Sequence, residues 1–135
     1  MSGLSKISEI YRVNVPLESD PNSFDYEVTR EHLKILRATI DANGRELEVI
    51  TIKAPQKIRF LDKTEDFAAG YINFYVVNGA VIMPEFGDSD ADENARKTLV
   101  KLFPKREVIQ LNIDTLAAGG GGIHCVTQQE PQAIA

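Results

Sequence analysis

Near the carboxy end of the chain, Gly119-Gly120-Gly121-Gly122 runs directly into Ile123-His124-Cys125-Val126-Thr127. A thiol becomes a strong nucleophile near neutral pH when polar N–H groups or positive charge stabilise its thiolate. Glycines beside it leave the sulfur uncrowded and leave backbone N–H groups free to face an attacked carbon. Each ordered glycine costs about 1 kcal/mol relative to alanine, so four in a row imply a backbone that approaches something closely. Two plainer alternatives stand beside this one: the glycines as a flexible linker or strand bulge, and Cys125 as a small buried hydrophobe. A phosphate-cradling loop matches poorly, because neither a Gly-Lys-Ser/Thr ending nor spaced glycines before a helix is present.

The other chemistry-bearing residues give less. Ile123 to Thr127 reads as extended, and neighbouring side chains on an extended segment point to opposite faces, so His124 is structural or supporting rather than the base for its neighbour. His32 lies beside Arg30, Glu31 and Lys34 in a helical stretch and reads as solvated; a hydrolase pairing it with Cys125 requires the two to meet in space. Asp88, Asp90 and Asp92 alternate as in a calcium loop, yet the glycine position holds Glu93 and the bidentate glutamate position holds Leu99. An acidic helix cap and first turn explains these aspartates without a metal. One cysteine excludes an internal disulfide and supplies too few soft ligands for structural zinc.

Several elements must position Cys125. Glu9 to Pro16 alternates as a strand closed by proline, and Asp25 to Ile40 carries Tyr26, Leu33, Leu36 and Ile40 on one helical face. Asn43-Gly44 supplies a helix end, and Leu47 to Ile52 is a β-branched strand. Residues 56–70 are charged and aperiodic, which predicts a surface loop. Tyr71 to Val77 and Ala80 to Pro84 flank Asn78-Gly79, which supplies the positive φ angles of a two-residue hairpin turn. A second helix follows, with Ala95, Leu99, Leu102 and Phe103 at helical spacing, and then the strand Glu107 to Ile113. The pattern is α/β: a first unit over residues 1–55, the loop, and a second unit over residues 71–135 that ends in the cysteine motif. Units repeated this way hide both faces only against neighbours, so the 135 residues form one partial domain.

Composition narrows the partners. A hydrophobic content of 43% supplies a core, and 15 basic against 20 acidic side chains give a net charge of -5. That balance argues against nucleic acid or an anionic membrane and suits a cationic small molecule. No run approaches the roughly 18 apolar residues of a membrane span, and Met1 to Tyr11 lacks the basic start and apolar stretch of a secretion signal, which predicts a cytoplasmic chain.

The run Gly119-Gly-Gly-Gly-Ile-His-Cys-Val-Thr-Gln-Gln129 resembles the carboxy-terminal catalytic motif of the agmatine deiminase and bacterial peptidylarginine deiminase family, in the guanidine-modifying pentein superfamily. Tyr71-Ile-Asn-Phe-Tyr-Val-Val-Asn-Gly-Ala-Val-Ile-Met-Pro-Glu-Phe-Gly-Asp88 and Leu102-Phe-Pro-Lys-Arg-Glu-Val108 resemble further family segments, in matching order, and the resemblance extends from about Ser19 to Pro131. It implies a pentein-like α/β propeller of five units, of which this chain holds about two.

It also implies that Cys125 is the nucleophile, that Gly119, Gly120, Gly121 and Gly122 line the substrate pocket, and that Asn73 and His124 are supporting or structural residues. The implied reaction is hydrolysis of a guanidinium C–N bond in agmatine, a route to putrescine, or in an arginyl peptide, with ammonia released and no metal or organic cofactor. The family's His-x-Asp motif and further carboxylates would lie upstream of Met1. The expectation is therefore a truncated chain, inactive on agmatine alone and completed by pairing with a missing amino-terminal portion. The alternative is a noncatalytic remnant that self-associates or docks onto another subunit through its sheet edges.

Overall fold

The computed structural model describes residues 12–59 and 66–134. Strand β1 (Arg12–Leu17), helix α1 (Asp25–Arg37) and strand β2 (Glu48–Lys53) follow one another, and the strands are parallel neighbours from Arg12 opposite Glu48 to Leu17 opposite Lys53. A parallel pair cannot be closed by a tight turn, and α1 supplies the crossover. The part of the expected first strand before Arg12 lies outside the described residues.

Helix α1 stops three residues short of the expected Ile40, which is 60% exposed, while Tyr26, Leu33 and Leu36 form a half-buried face. Asn43-Gly44 is therefore not its cap. It forms the tip of a separate turn in which the Asp41 carboxylate accepts from the Asn43 and Arg45 backbone N–H groups and pairs with the Arg45 guanidinium at 2.6 Å. Gly44 takes φ +75° there, a conformation only glycine adopts without strain.

Strands β3 (Tyr75–Val77) and β4 (Ala80–Glu85) form the expected antiparallel hairpin. Only Gly79 of its turn has positive φ, at +77°, so Asn78 does not contribute the left-handed angle predicted for it. Helix α2 (Ser89–Leu102) then crosses to β5 (Glu107–Asn112), which pairs in parallel with β4. The Asp88 side chain caps α2 by accepting from the Ala91 N–H at 3.2 Å.

The main core lies in this second half. Val81 and Met83 of β4, Leu99 of α2, and Phe86 are fully enclosed, with Val108 of β5 and Ile52 of β2 packed around them. Asp92, expected as part of an acidic first turn, is instead turned inward. Its carboxylate accepts from the Tyr71 hydroxyl at 2.7 Å, the Phe86 N–H at 2.9 Å and the Gly87 N–H at 3.0 Å. Burial beside that carboxylate drives the Tyr71 phenol far above its ordinary range, so it stays a donor. This bond draws Tyr71 into the interior and explains why β3 begins at Tyr75 rather than at Tyr71.

The expected loop carries an anchor of its own. Arg59 donates through Nε to Asp114 at 2.8 Å and pairs through Nη1 with Glu85 at 3.0 Å, while its backbone N–H donates to the Phe86 carbonyl. Residues 60–65 of that loop lie outside the described residues. After β5 a short helix α3 (Asp114–Ala118) precedes the glycines.

Candidate functional site

Helix α3 places the glycine run. Its carboxy end is closed by Gly119, and Gly120 turns the chain at φ +85°. The chain then re-enters the body of the protein, because Gly122 and Ile123 are buried, before His124 to Val126 make one turn of 3-10 helix. The extended strand expected over Ile123 to Thr127 is thus replaced by a turn. Burial of Ile123 and the bond from the His124 backbone N–H to Asn73 hold the segment in this turn.

Cys125 is exposed, on the outer side of this turn. Its Sγ accepts a hydrogen bond from Asn73 Nδ2 at 3.1 Å. The Asn73 amide and the backbone N–H of Gly122 hold the thiol below its ordinary pKa, with slight burial working against them. Such a thiol is open to a reagent from solvent, which a buried filler cysteine is not.

Asn73 uses both ends of its amide. Oδ1 accepts from the His124 backbone N–H at 2.7 Å, so one side chain holds the main chain of the turn and the sulfur it carries. Asn73 itself sits between two anchors, Tyr71 in the core and Phe74, whose ring packs edge-on against Phe103 at 5.9 Å. Tyr75 completes the clamp: its hydroxyl donates to the Gln128 carbonyl at 3.1 Å, and its ring lies 6.5 Å from the His124 imidazole.

Of the four glycines, Gly121 and Gly122 stand against the site. A β-carbon on Gly121 would meet Cys125 Cβ and Sγ at 3.5 and 3.6 Å, an ordinary contact. One on Gly122 would sit 2.5 Å from Asn73 Cγ and 2.8 Å from its Cβ, which is impossible without moving Asn73. Gly119 and Gly120 are exposed and serve the turn.

The two histidines do not bond to the sulfur. His32 is exposed on α1, which packs against β1 and β2, and His124 turns toward Tyr75. Among the described residues no group of three or more His, Cys, Asp or Glu side chains is gathered to hold a metal ion. A cleft of about 670 Å³ opens elsewhere, between β2 and the start of α2, where Thr51, Lys53, Lys57, Asp88 and Thr98 line it. Cys125 is not on its wall.

The molecule is thus a mixed α/β protein that presents an exposed, hydrogen-bonded thiol on a glycine-bounded turn. The chain belongs to the Porphyromonas-type peptidyl-arginine deiminase family, whose profile matches residues 5–131. A Streptomyces coelicolor protein named provisionally as an agmatine deiminase is 44% identical over 121 residues, covering 89% of this chain. The agmatine deiminase of Medicago truncatula is 36% identical over 131 residues, covering 84% of it. The solved agmatine deiminase of Enterococcus faecalis superposes with a TM-score of 0.81 at 28% identity, over 95% of this chain and 40% of that one. The chain spans about a third of the length of the curated relatives it matches, 35% and 34% for these two.

Proposed function

We propose that Cys125 is the nucleophile of a guanidine deimination, acting on agmatine or on a peptidyl arginine. The thiolate attacks the central guanidinium carbon, the C–N bond breaks, and the nitrogen leaves as ammonia after gaining a proton. Water then attacks the S-alkylthiouronium carbon, expels the thiolate and leaves a ureido product. With agmatine, the product lies on a route to putrescine. The observation that carries this reading is the exposed sulfur held by the Asn73 amide.

A planar cation needs carboxylates that accept from its forked N–H groups, and both half-reactions need an imidazole to move protons. Neither kind of group is bonded to the Cys125 sulfur among the described residues. Cys125 therefore works as part of a larger site, in a pentein-like propeller of which this chain supplies about two α/β units, divided near residues 56–70. The setting is the cytoplasm, and no cofactor takes part.

The test is a chimera in which residues 12–134 replace the matching 40% of the Enterococcus faecalis enzyme. It is expected to release ammonia from agmatine, and Cys125→Ser is expected to abolish release, while the 135-residue chain alone stays at the uncatalysed rate. A folded chimera that is inactive with Cys125 present, or active without it, overturns the proposal.

A second reading rests on the sheet edges. β1 and β2 pair only with each other among the described strands, which leaves a backbone edge open on each side. A noncatalytic chain would use these edges to self-associate, and its mass in solution would rise with concentration.

A further inference from the structure

We propose that Arg59 is a positioning residue for the Cys125 turn: its guanidinium ties the end of β4 to the start of α3, and so fixes the helix from which the glycine run departs. Its hold on α3 stands by itself; its effect on turnover rests on the reading of Cys125 as nucleophile.

The cysteine turn is held from two sides. On one side the Tyr75 hydroxyl reaches the Gln128 carbonyl, and Tyr75 belongs to β3, which pairs with β4 through Ile82. On the other side α3 runs straight into Gly119. A helix of five residues cannot hold itself, because nucleation costs more than its few hydrogen bonds return. It also starts at Ile113 without a side-chain cap. Its place is therefore set by its neighbours. Ile113 and Ala117 are buried, the Ala68 N–H donates to the Ala117 carbonyl at 2.9 Å, and Arg59 holds Asp114, the first helical residue.

The Arg59 guanidinium uses all three of its nitrogens. Nε donates to Asp114 Oδ2 at 2.8 Å, and Nη2 donates to Asp114 Oδ1 at 3.3 Å and to the Glu85 carbonyl at 3.2 Å. Nη1 pairs with the Glu85 carboxylate at 3.0 Å. A forked pair to one carboxylate with further bonds to a second residue fixes direction as well as distance, which the point charge of a lysine cannot do. The backbone beneath is shaped for it. The Arg59 N–H donates to the Phe86 carbonyl at 2.8 Å, and a β-carbon on Gly87, at φ +94°, would fall 2.7 Å from Arg59 Cβ. Glu85 closes β4 and Asp114 opens α3, so Arg59 bonds to both supports of the turn.

The test compares Arg59→Ala, Arg59→Lys, Asp114→Ala and the Arg59→Ala/Asp114→Ala double variant by amide hydrogen exchange in the 135-residue chain. In Arg59→Ala, residues 114–122 are expected to exchange about five-fold faster, the change in open population that follows from losing a partly exposed charge pair, while α1 keeps its parent rate. Arg59→Lys should fall between the parent and Arg59→Ala. The double variant should match Arg59→Ala, since Asp114 has already lost its partner there. Parent-like exchange over residues 114–122 in folded Arg59→Ala overturns the proposal, as does an increase spread evenly along the chain or an additive effect in the double variant.

Turnover supplies the second readout. In the chimera with the Enterococcus faecalis enzyme, Arg59→Ala should lower kcat for agmatine about ten-fold and leave KM within about two-fold, because a displaced nucleophile slows the chemistry without removing contacts to the substrate. An unchanged kcat in an active chimera, or a loss confined to KM, overturns the proposal. An inactive parent chimera with the exchange differences intact would overturn the deiminase reading and leave the hold of Arg59 on α3 standing.

Discussion

β1-α1-β2 and β4-α2-β5 share one backbone plan, a parallel strand pair six residues long joined through a helix, yet they bury very different amounts of side chain. In α2, Ala95, Leu99 and Leu102 are buried, and segments outside the unit add Phe67 and Tyr71 to the same core. In α1 the buried residue is Thr29, while Ile35 is 55% exposed. Topology is therefore not what anchors a unit. The second unit is anchored because a hairpin strand, a loop and α3 close around it, and the Cys125 turn is attached to that closed body.

Core substitutions should split the two units most widely. Leu99→Ala is expected to lower stability by about 3–5 kcal/mol, since no neighbour can collapse into a fully enclosed site, whereas Leu36→Ala on half-buried α1 is expected to cost about 1 kcal/mol. Urea unfolding midpoints measure both, and equal losses would break the contrast.

Next is the buried carboxylate for which α1 has no counterpart. Asp92→Ala should cost about 3 kcal/mol, because it strands the Phe86 and Gly87 N–H donors, while Glu93→Ala should change stability by about 0.5 kcal/mol or less. The same Asp92 variant should slow Cys125 alkylation at pH 7, since Tyr71 helps to hold the segment bearing Asn73. Unchanged alkylation in a folded variant would uncouple the core from the thiol.

A smaller difference concerns the helix caps. Asp88→Ala should cost about 1 kcal/mol, whereas α1 begins at Phe24 with no side-chain cap to lose. The Ala91 N–H, opposed by slight burial and helped by the Gln56 and Lys57 N–H groups, holds the Asp88 carboxyl below its ordinary value of 3.8. A depressed carboxylate stabilises the fold above its unfolded pKa and ceases to as pH falls through the folded one. The stability gap between parent and Asp88→Ala should therefore be flat near neutral pH and close below about pH 4. Smallest of all, Ile35→Ser on α1 should stay within about 0.5 kcal/mol.

Much of the fold was legible in local pattern. Alternation and helical spacing located the two longer helices and all five strands among the described residues but not the five-residue α3, and the Asn78-Gly79 pair marked the hairpin. The misses share a cause. Ile123 to Thr127 has strand-like composition but is a turn, because burial of Ile123 and the reach of Asn73 outweigh a short stretch's propensity. Asp92 looked like one acid among several in a first helical turn, and only the approach of Tyr71 makes it a buried acceptor.

Residue order alone determined most of the element types, the glycine-bounded thiol and, through its motif, the family, because propensity, periodicity and motif spacing are all written within a few residues of one another. Tertiary structure decided what touches that thiol. Asn73 and Cys125 stand 52 positions apart, and Arg59 and Asp114 stand 55 apart. Contacts at such separations depend on how apolar faces pack, and packing belongs to the assembled core rather than to any one segment.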